Sequence, residues 1–191
     1  VDLGRIEGDG LPARHFGVMS GAGLDAALME RTPERAKSAL GWPAYLLAAL
    51  RTLRTPRMDV TLRLDGGEPV RTTARAALLA NVGRLQAGAA LVPAARPDDG
   101  MLYVVLVDPR GPAGWAAAVV SVVRGVTPRT RPGAAGADRG GVAGYSCRGA
   151  ELEFGAAQPR EIDGDPVTAG RRLSAHVVPG ALTVLLPDRE G

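Results

Sequence analysis

Apolar and polar positions change rhythm partway along the chain. Residues 14–30, RHFGVMSGAGLDAALME, read as a short apolar strand, a glycine turn and the start of a helix. From Pro33 to Thr55, residues Leu40, Tyr45, Leu46, Ala49, Leu50 and Leu53 recur at helical spacing and share one face. Pro33 suits a first-turn position, Gly41-Trp42-Pro43 breaks or kinks the run, and Pro56 closes it. The rhythm then shortens. MDVTLRL, from Met58, alternates at the period of a half-buried strand, and the Asp65-Gly66-Gly67 that follows is a hairpin signal. Further strands are expected at Ala76–Asn81 and Met101–Asp108. Pro112–Arg124 reads as a helix, although its Val-Val-Ser-Val-Val stretch also suits a strand. Residues 127–141, rich in Pro, Gly and Arg, read as a mobile loop rather than a domain boundary. Strands follow at Arg148–Phe154, Pro159–Ile162, Arg172–Val177 and Ala181–Leu186, with Val178-Pro179-Gly180 as the last turn. There is no long-period repeat. The expected class is α+β, mostly β: an antiparallel β-sandwich or curled sheet with a few added helices. The short hairpin turns argue against an all-parallel sheet, which needs longer crossovers.

Composition narrows the picture. The chain has 191 residues, 46% hydrophobic and 23% charged, enough for one domain with a sizeable core. Aromatics are only 4%, so the core must be built mostly of Ala, Val and Leu. The net charge is +3, and Lys37 is the only lysine. The Ala/Gly/Arg bias runs the whole length, so the positive charge speaks to solubility and weak association rather than to one partner. No basic stripe interleaves with aromatics, and no nucleic-acid partner is expected. Arg51, Arg54 and Arg57 read first as a solvated helix face, with contact to anionic headgroups as the second reading. Cys147 is the only cysteine, so no intrachain disulfide forms, and it reads as a buried thiol rather than a nucleophile. No apolar run is long enough to span a bilayer, and no signal peptide is visible. A cytoplasmic protein is expected.

Four segments bear on chemistry. GAGLDA, Gly21 to Ala26, matches a weak Gly-x-Gly-x-x-Ala dinucleotide fingerprint, but the required acidic strand end about 20 residues on falls at Gly41-Trp42-Pro43. A strand-to-helix turn that needs small residues is the plainer reading. ARPDDGML, Ala95 to Leu102, pairs Asp98 with Asp99 before a glycine turn and a strand. A carboxylate with nearby backbone carbonyls is how loops hold hard cations, although an Asp-Gly turn explains the stretch as well. EIDGDPV offers Asp163 and Asp165 on either side of Gly164. A turn at Asp163-Gly164 would set Asp165 at the head of the returning strand, a rigid base for a carboxylate that accepts a hydroxyl proton in phosphoryl transfer. LDGGEPV, at 64–70, has nearly the same character; composition alone does not rank the two, and both read most simply as hairpin turns. His15 and His176 have no partners at metal-ligand spacing and read as structural.

Taken in order, HFGVMSGAGLDAALME, ALGWPAYLLAALRTL, LLANVGRLQAGAALVPAARPDDGMLYVVLV, REIDGDPV and HVVPGALTVLLP resemble the C-terminal domain of the bacterial diacylglycerol kinase and lipid kinase family, of which sphingosine kinases are more distant members. The resemblance covers nearly the whole chain. It rests on order and spacing: Gly-Leu-Asp-Ala, Gly-x-x-Ala-Tyr, Asn81 and Gly88 before Pro93, Asp-Asp-Gly, then Asp-Gly-acid. It implies a β-sandwich of the diacylglycerol kinase/NAD kinase-like fold over residues 1–191. It also implies a separate N-terminal domain whose Gly-Gly-Asp-Gly-Thr signature cradles ATP. That signature is absent here, and the chain begins with Val rather than Met, so a second domain alone is expected, inactive by itself. The implied whole enzyme uses ATP and Mg²⁺ to phosphorylate a lipid hydroxyl such as that of diacylglycerol, with peripheral membrane contact and a homodimer left open. Carried over by position, Asp99 supplies a carboxylate to a structural Mg²⁺, with the backbone carbonyls of Arg96 and Met101, and Asp165 is the proton acceptor. The family has Glu at the position of Asp165. The side chain here is shorter by one methylene, a change in reach of roughly an ångström, and a misplacement of that order can cost about a hundredfold in rate. Two rivals remain: a non-catalytic β-sandwich that binds a lipid or partner protein, and a dinucleotide-binding enzyme using GAGLDA.

Overall fold

The period-two stretches form strands, and the strands form two leaves joined by a pair of long, bent ribbons. A computed structural model describes residues 1–23, 56–83, 91–128 and 141–185. Its elements are β1 (Leu3–Gly8), β2 (Leu11–Phe16), β3 (Met19–Ala22), β4 (Met58–Leu64), β5 (Val70–Ala74), β6 (Ala76–Ala80), β7 (Leu102–Val107), α1 (Gly111–Arg124), β8 (Val142–Cys147), β9 (Gly149–Ile162) and β10 (Asp165–Val178). Every strand pairing among the described residues is antiparallel. β9 pairs with β4 over Ala150–Phe154 and with β3 over Arg160–Ile162, so its two halves serve different leaves. β10 follows it, with register shifts on either side of Gly170, and then pairs with β1. Bulges of this kind let a strand turn the corner between packed sheets. The leaves are therefore β5-β4-β9-β10-β1-β2 and β9-β3-β6-β7-β8.

One core lies between the leaves, with Ile6, Val60, Leu62, Leu152 and Phe154 meeting Leu79, Leu102, Val104 and Ile162. A second core covers the far face of β6 and β7, where Leu78, Tyr103 and Val105 pack with Leu91, Val92 and Ala118 of α1. β6 is thus buried on both faces, which is why AALLA carries no polar residue. The outer face of the first leaf is open to water. Its rows carry charges such as Arg63 beside Glu151 and Arg172 beside Glu153.

The expected strands at Met58, Ala76 and Met101, the helix at Pro112–Arg124 and the hairpin after Leu64 are all present. Two expectations need correction, and two strands went unexpected. Arg148–Phe154 and Pro159–Ile162 are one strand, β9, continuous through its bend. Residues 181–185 form no strand, because their described backbone partner is a single residue: Val1 and Leu182 exchange reciprocal hydrogen bonds of 2.7 and 3.0 Å. β1 and β8 carry too many small and charged residues to stand out by alternation. The helices expected between Leu24 and Thr55, and most of the Pro/Gly/Arg loop, lie outside the described residues.

Candidate functional site

Ile162 and Asp165 face each other across a two-residue turn, so the hairpin expected in EIDGDPV is there. Asp163 and Gly164 both have positive φ, 49° and 92°, as a type I′ hairpin requires. The two carboxylates beside Gly164 have different work. Asp163 Oδ2 accepts the Gly17 N–H at 2.7 Å, and its Oδ1 accepts those of Val18 and Met19 at 2.9 Å each. It ties the hairpin tip to the segment leading into β3. Asp165 is exposed at the first position of β10, a short side chain on a rigid strand end.

The turn at Asp65-Gly66 is built alike. Asp65 has φ 49°, and its Oδ1 accepts the Arg148 and Gly149 N–H groups at 2.8 Å each. A third turn, at Asp9-Gly10, repeats the device: the Asp9 carboxylate accepts the Arg171 and Arg172 amides. Those two bonds, above all, hold the Asp9 acid below its usual range. The Asp of an Asp-Gly turn here is chiefly a clamp on a neighbouring strand. What distinguishes EIDGDPV is the second carboxylate after the turn, which no backbone amide among the described residues clamps.

Asp99 organises the loop before β7. Its Oδ2 accepts the Arg96 N–H at 2.8 Å and the Tyr103 hydroxyl at 2.7 Å, and its Oδ1 accepts the Met101 N–H at 2.9 Å. Burial, followed by the bond to Asp99, pushes the Tyr103 hydroxyl well above its ordinary pKa. Asp98 points elsewhere, to the Arg96 guanidinium at 3.1 Å, which lowers its pKa. A carboxylate has about four lone-pair sites; three donors leave Asp99 one. Arg96 and Met101, the other two residues of the expected Mg²⁺ site, both meet Asp99 through their backbone N–H groups. Among the described residues, no cluster of three or more His, Cys, Asp or Glu side chains surrounds a metal-sized space.

A hydrogen-bonded chain joins the loop to the hairpin. Asp2, buried, accepts the Gly100 N–H at 2.7 Å and the Gly180 N–H at 2.8 Å. The Asp2 carbonyl accepts from Asn81 Nδ2 at 2.9 Å, and the same amide donates to the Gly17 carbonyl at 3.0 Å. Gly17 in turn donates to Asp163. Asn81 is 1% exposed and its Oδ1 has no partner among the described residues. The structure therefore brings the Asp99 loop and the Asp165 hairpin to the same end of the molecule.

Besides Asp2 and Asp9, sequence reasoning missed Arg160 and Glu161. Arg160 is fully buried, with its guanidinium on Asp9 Oδ1 and on the carbonyls of Asp9, Thr168 and Arg172. Glu161 is 4% exposed, accepts the Gly164 N–H at 2.7 Å through Oε2, and has no partner for Oε1 among the described residues. Burial pushes its pKa up to about 6, against the Gly164 bond and with help from Asp163 and Asp165. The signal available was Arg-Glu-Ile at the end of a strand, where three consecutive buried residues break the alternation. Cys147 is buried, with its thiol pushed up to about 12 mainly by burial, so it is no nucleophile. The fingerprint glycines are packing devices. A Cβ on Gly23 would lie 2.5 Å from the Arg75 carbonyl, and Gly21 sits within β3 rather than in a strand-to-helix turn. An open groove of about 710 Å³, lined by Glu7, Arg63, Glu151, Glu153 and Arg172, lies on the first leaf and includes neither Asp99 nor Asp165.

Residues 18–186 match the family described as the YegS C-terminal NAD kinase beta sandwich-like domain. The fold is similar to that of a protein from Bacillus anthracis str. Sterne provisionally named a diacylglycerol kinase, at 18% identity and a TM-score of 0.66, over 94% of this chain and 54% of that one. A second structure, named a diacylglycerol kinase from the same organism, aligns at 13% identity and a TM-score of 0.60, over 94% and 51%. The chain thus spans about half the length of these solved structures. No curated protein matches it. Among the described residues, no helix is long and apolar enough to cross a membrane.

Proposed function

The chain belongs to the family of YegS C-terminal NAD kinase beta sandwich-like domains, and from that premise we propose that it is the substrate-side domain of an ATP-dependent lipid kinase. In this reading a separate N-terminal domain binds ATP, and the two together transfer the γ-phosphoryl group to a lipid hydroxyl such as that of diacylglycerol. Asp165 is the proton acceptor. As the hydroxyl oxygen bonds to the γ-phosphorus and the bond to the ADP oxygen breaks, the hydroxyl proton passes to the Asp165 carboxylate. The observation that carries this assignment is the contrast at the turn: Asp163 is consumed by three backbone amides, whereas Asp165 is exposed on a strand end.

Asp99 and the carbonyls of Arg96 and Met101 would hold Mg²⁺, which when bound adds charge neutralisation to a loop already tied to the hairpin through Asp2 and Asn81. Contact with the membrane is peripheral, made to reach a lipid substrate. The chain without its ATP-binding domain is expected to turn over no lipid.

The test is lipid phosphorylation by the full-length parent, with labelled ATP and a panel of lipid alcohols, for wild type and Asp165→Asn. A loss of about a hundredfold or more in kcat supports Asp165 as proton acceptor and identifies the substrate class. Equal rates would move the base elsewhere. No activity in either protein would favour a non-catalytic lipid- or partner-binding domain.

A further inference from the structure

Glu161 is a buried carboxylate for which the proposed reaction has no use. Strand alternation separates it from its neighbour: Ile162 enters the core between the leaves, so Glu161 lies on the opposite face of β9, over β3. There it stands beside Gly21. A Cβ at Gly21 would come within 3.3 Å of Glu161 Oε1 and 2.9 Å of Leu78 Cδ2, so glycine makes the room the carboxylate occupies. Ser20, next along β3, donates its hydroxyl to the Glu161 carbonyl at 2.6 Å and fixes the backbone. The side chain then reaches along the hairpin, and Oε2 takes the Gly164 N–H at 2.7 Å.

Gly164 immediately precedes Asp165. From this geometry we infer that Glu161 is a positioning residue: its carboxylate, anchored behind the turn, holds the Gly164 peptide and so fixes the direction in which Asp165 leaves the hairpin. The inference rests on the reading of Asp165 as proton acceptor. A glycine at φ 92° has no side chain to brace it, and Gly164 has nothing within 4 Å of where a Cβ would be. The brace must come from a bond to its backbone, and a carboxylate acceptor makes that bond stronger than a neutral one would.

The bond is sensitive to protonation. Burial favours the neutral acid, and the group changes charge at about pH 6. Among the described residues, the titratable groups that bear on it are Asp163 and Asp165 on its own hairpin. β3 presents Ser20 and Gly21, and β6 presents Ala77 and Leu78, none of which titrates in this range.

Two measurements test the inference. In this chain, the Gly164 amide resonance should move with pH, with a midpoint of about 6 in the wild type, and lose that transition in Glu161→Gln. In the full-length parent, Glu161→Ala should lower kcat by about ten- to a hundredfold with the KM for ATP unchanged. Glu161→Gln, which keeps an oxygen for the Gly164 N–H, should recover most of that loss and flatten the acid limb of the pH profile. A Gly164 amide that ignores pH between 5 and 7 overturns the link between Glu161 and the turn. Wild-type kcat in Glu161→Ala overturns the positioning role. Wild-type activity in Asp165→Asn, with the Gly164 transition intact, instead overturns the proton-acceptor reading beneath the inference and leaves the Glu161–turn contact standing as structural.

Discussion

Burial sets the Glu161 acid at about 6, above its ordinary 4.5, so the folded chain binds this proton more tightly than the unfolded chain does. The stability it contributes is fully present below about pH 4.5 and is lost as the pH rises through about 6. A shift of this size corresponds to about 2 kcal/mol. Glutamine carries no such proton. Wild type is therefore expected to lose about 2 kcal/mol relative to Glu161→Gln between pH 4.5 and 7, read by denaturant unfolding of both chains at each pH. Parallel pH dependences would show that another group titrates. Asp9 has the opposite sign. Its acid is held down by the Arg171 and Arg172 amides, so its contribution is present above its ordinary pKa of 3.8 and fails only in stronger acid. At this scale the sequence made the turn and Asp165 legible, because Asp-Gly fixes a local backbone state that needs no tertiary partner. It hid Asp163's three amides and Glu161's burial, because both depend on residues 17–21, some 140 positions away.

The pair β9 and β10 is the element that makes a sandwich from these strands, and Arg160 stands at its bend. Its guanidinium is fully buried, and it closes the corner by binding the Thr168 and Arg172 carbonyls of β10 and both the carbonyl and carboxylate of Asp9 in the β1–β2 turn. Gly8 and Gly170 leave space for it; a Cβ on either would come within 2.7 Å of a guanidinium atom. Arg160→Met keeps the stem and removes the donors, leaving the part-buried carbonyls it binds without that partner. It is expected to cost about 3 kcal/mol or more, measured as a lower denaturant midpoint with strand content retained. A change below about 0.5 kcal/mol would mean that the bend is held by its backbone alone. The bend explains why the pattern divided β9 in two: Gly155 to Pro159 has no alternation to read, since both its faces meet solvent at the corner. β6 and β7 were legible for the opposite reason. A short run that is apolar throughout belongs in a strand covered on both faces, and α1 with Leu91 and Val92 supplies the second cover.

Across the whole molecule, a few buried polar contacts hold the Asp99 loop and the Asp165 hairpin in one frame. Asn81 lies at their centre. Its amide nitrogen is fixed in orientation because both of its partners, the Asp2 and Gly17 carbonyls, are acceptors only. Its backbone N–H adds a bond to the Val18 carbonyl at 2.9 Å. Asp2 extends the frame to Gly100 and Gly180, and Asp163 extends it to Gly17, Val18 and Met19. In sequence, Asn81 drew notice only as a spacing mark before Pro93; nothing local distinguishes it from a strand-end asparagine, since its partners lie 64 and 79 positions away. The frame gives Asn81→Ala two separable consequences. A buried carbonyl and a partly buried one lose their donor, so stability should fall by about 2 to 3 kcal/mol, seen in denaturant unfolding. The loop and the hairpin also lose their shared anchor. In the proposed two-domain enzyme, well below the unfolding temperature, kcat should then fall while the KM for ATP holds, because the proposal gives ATP to the other domain and Asn81 touches only this end of the sandwich. Asn81→Asp sharpens the test. It keeps the shape but replaces the amide donor with an acceptor facing two carbonyls, so it should be at least as damaging as alanine. A variant that loses stability without losing kcat would show that the two loops hold their places independently, and that the common frame serves the fold alone.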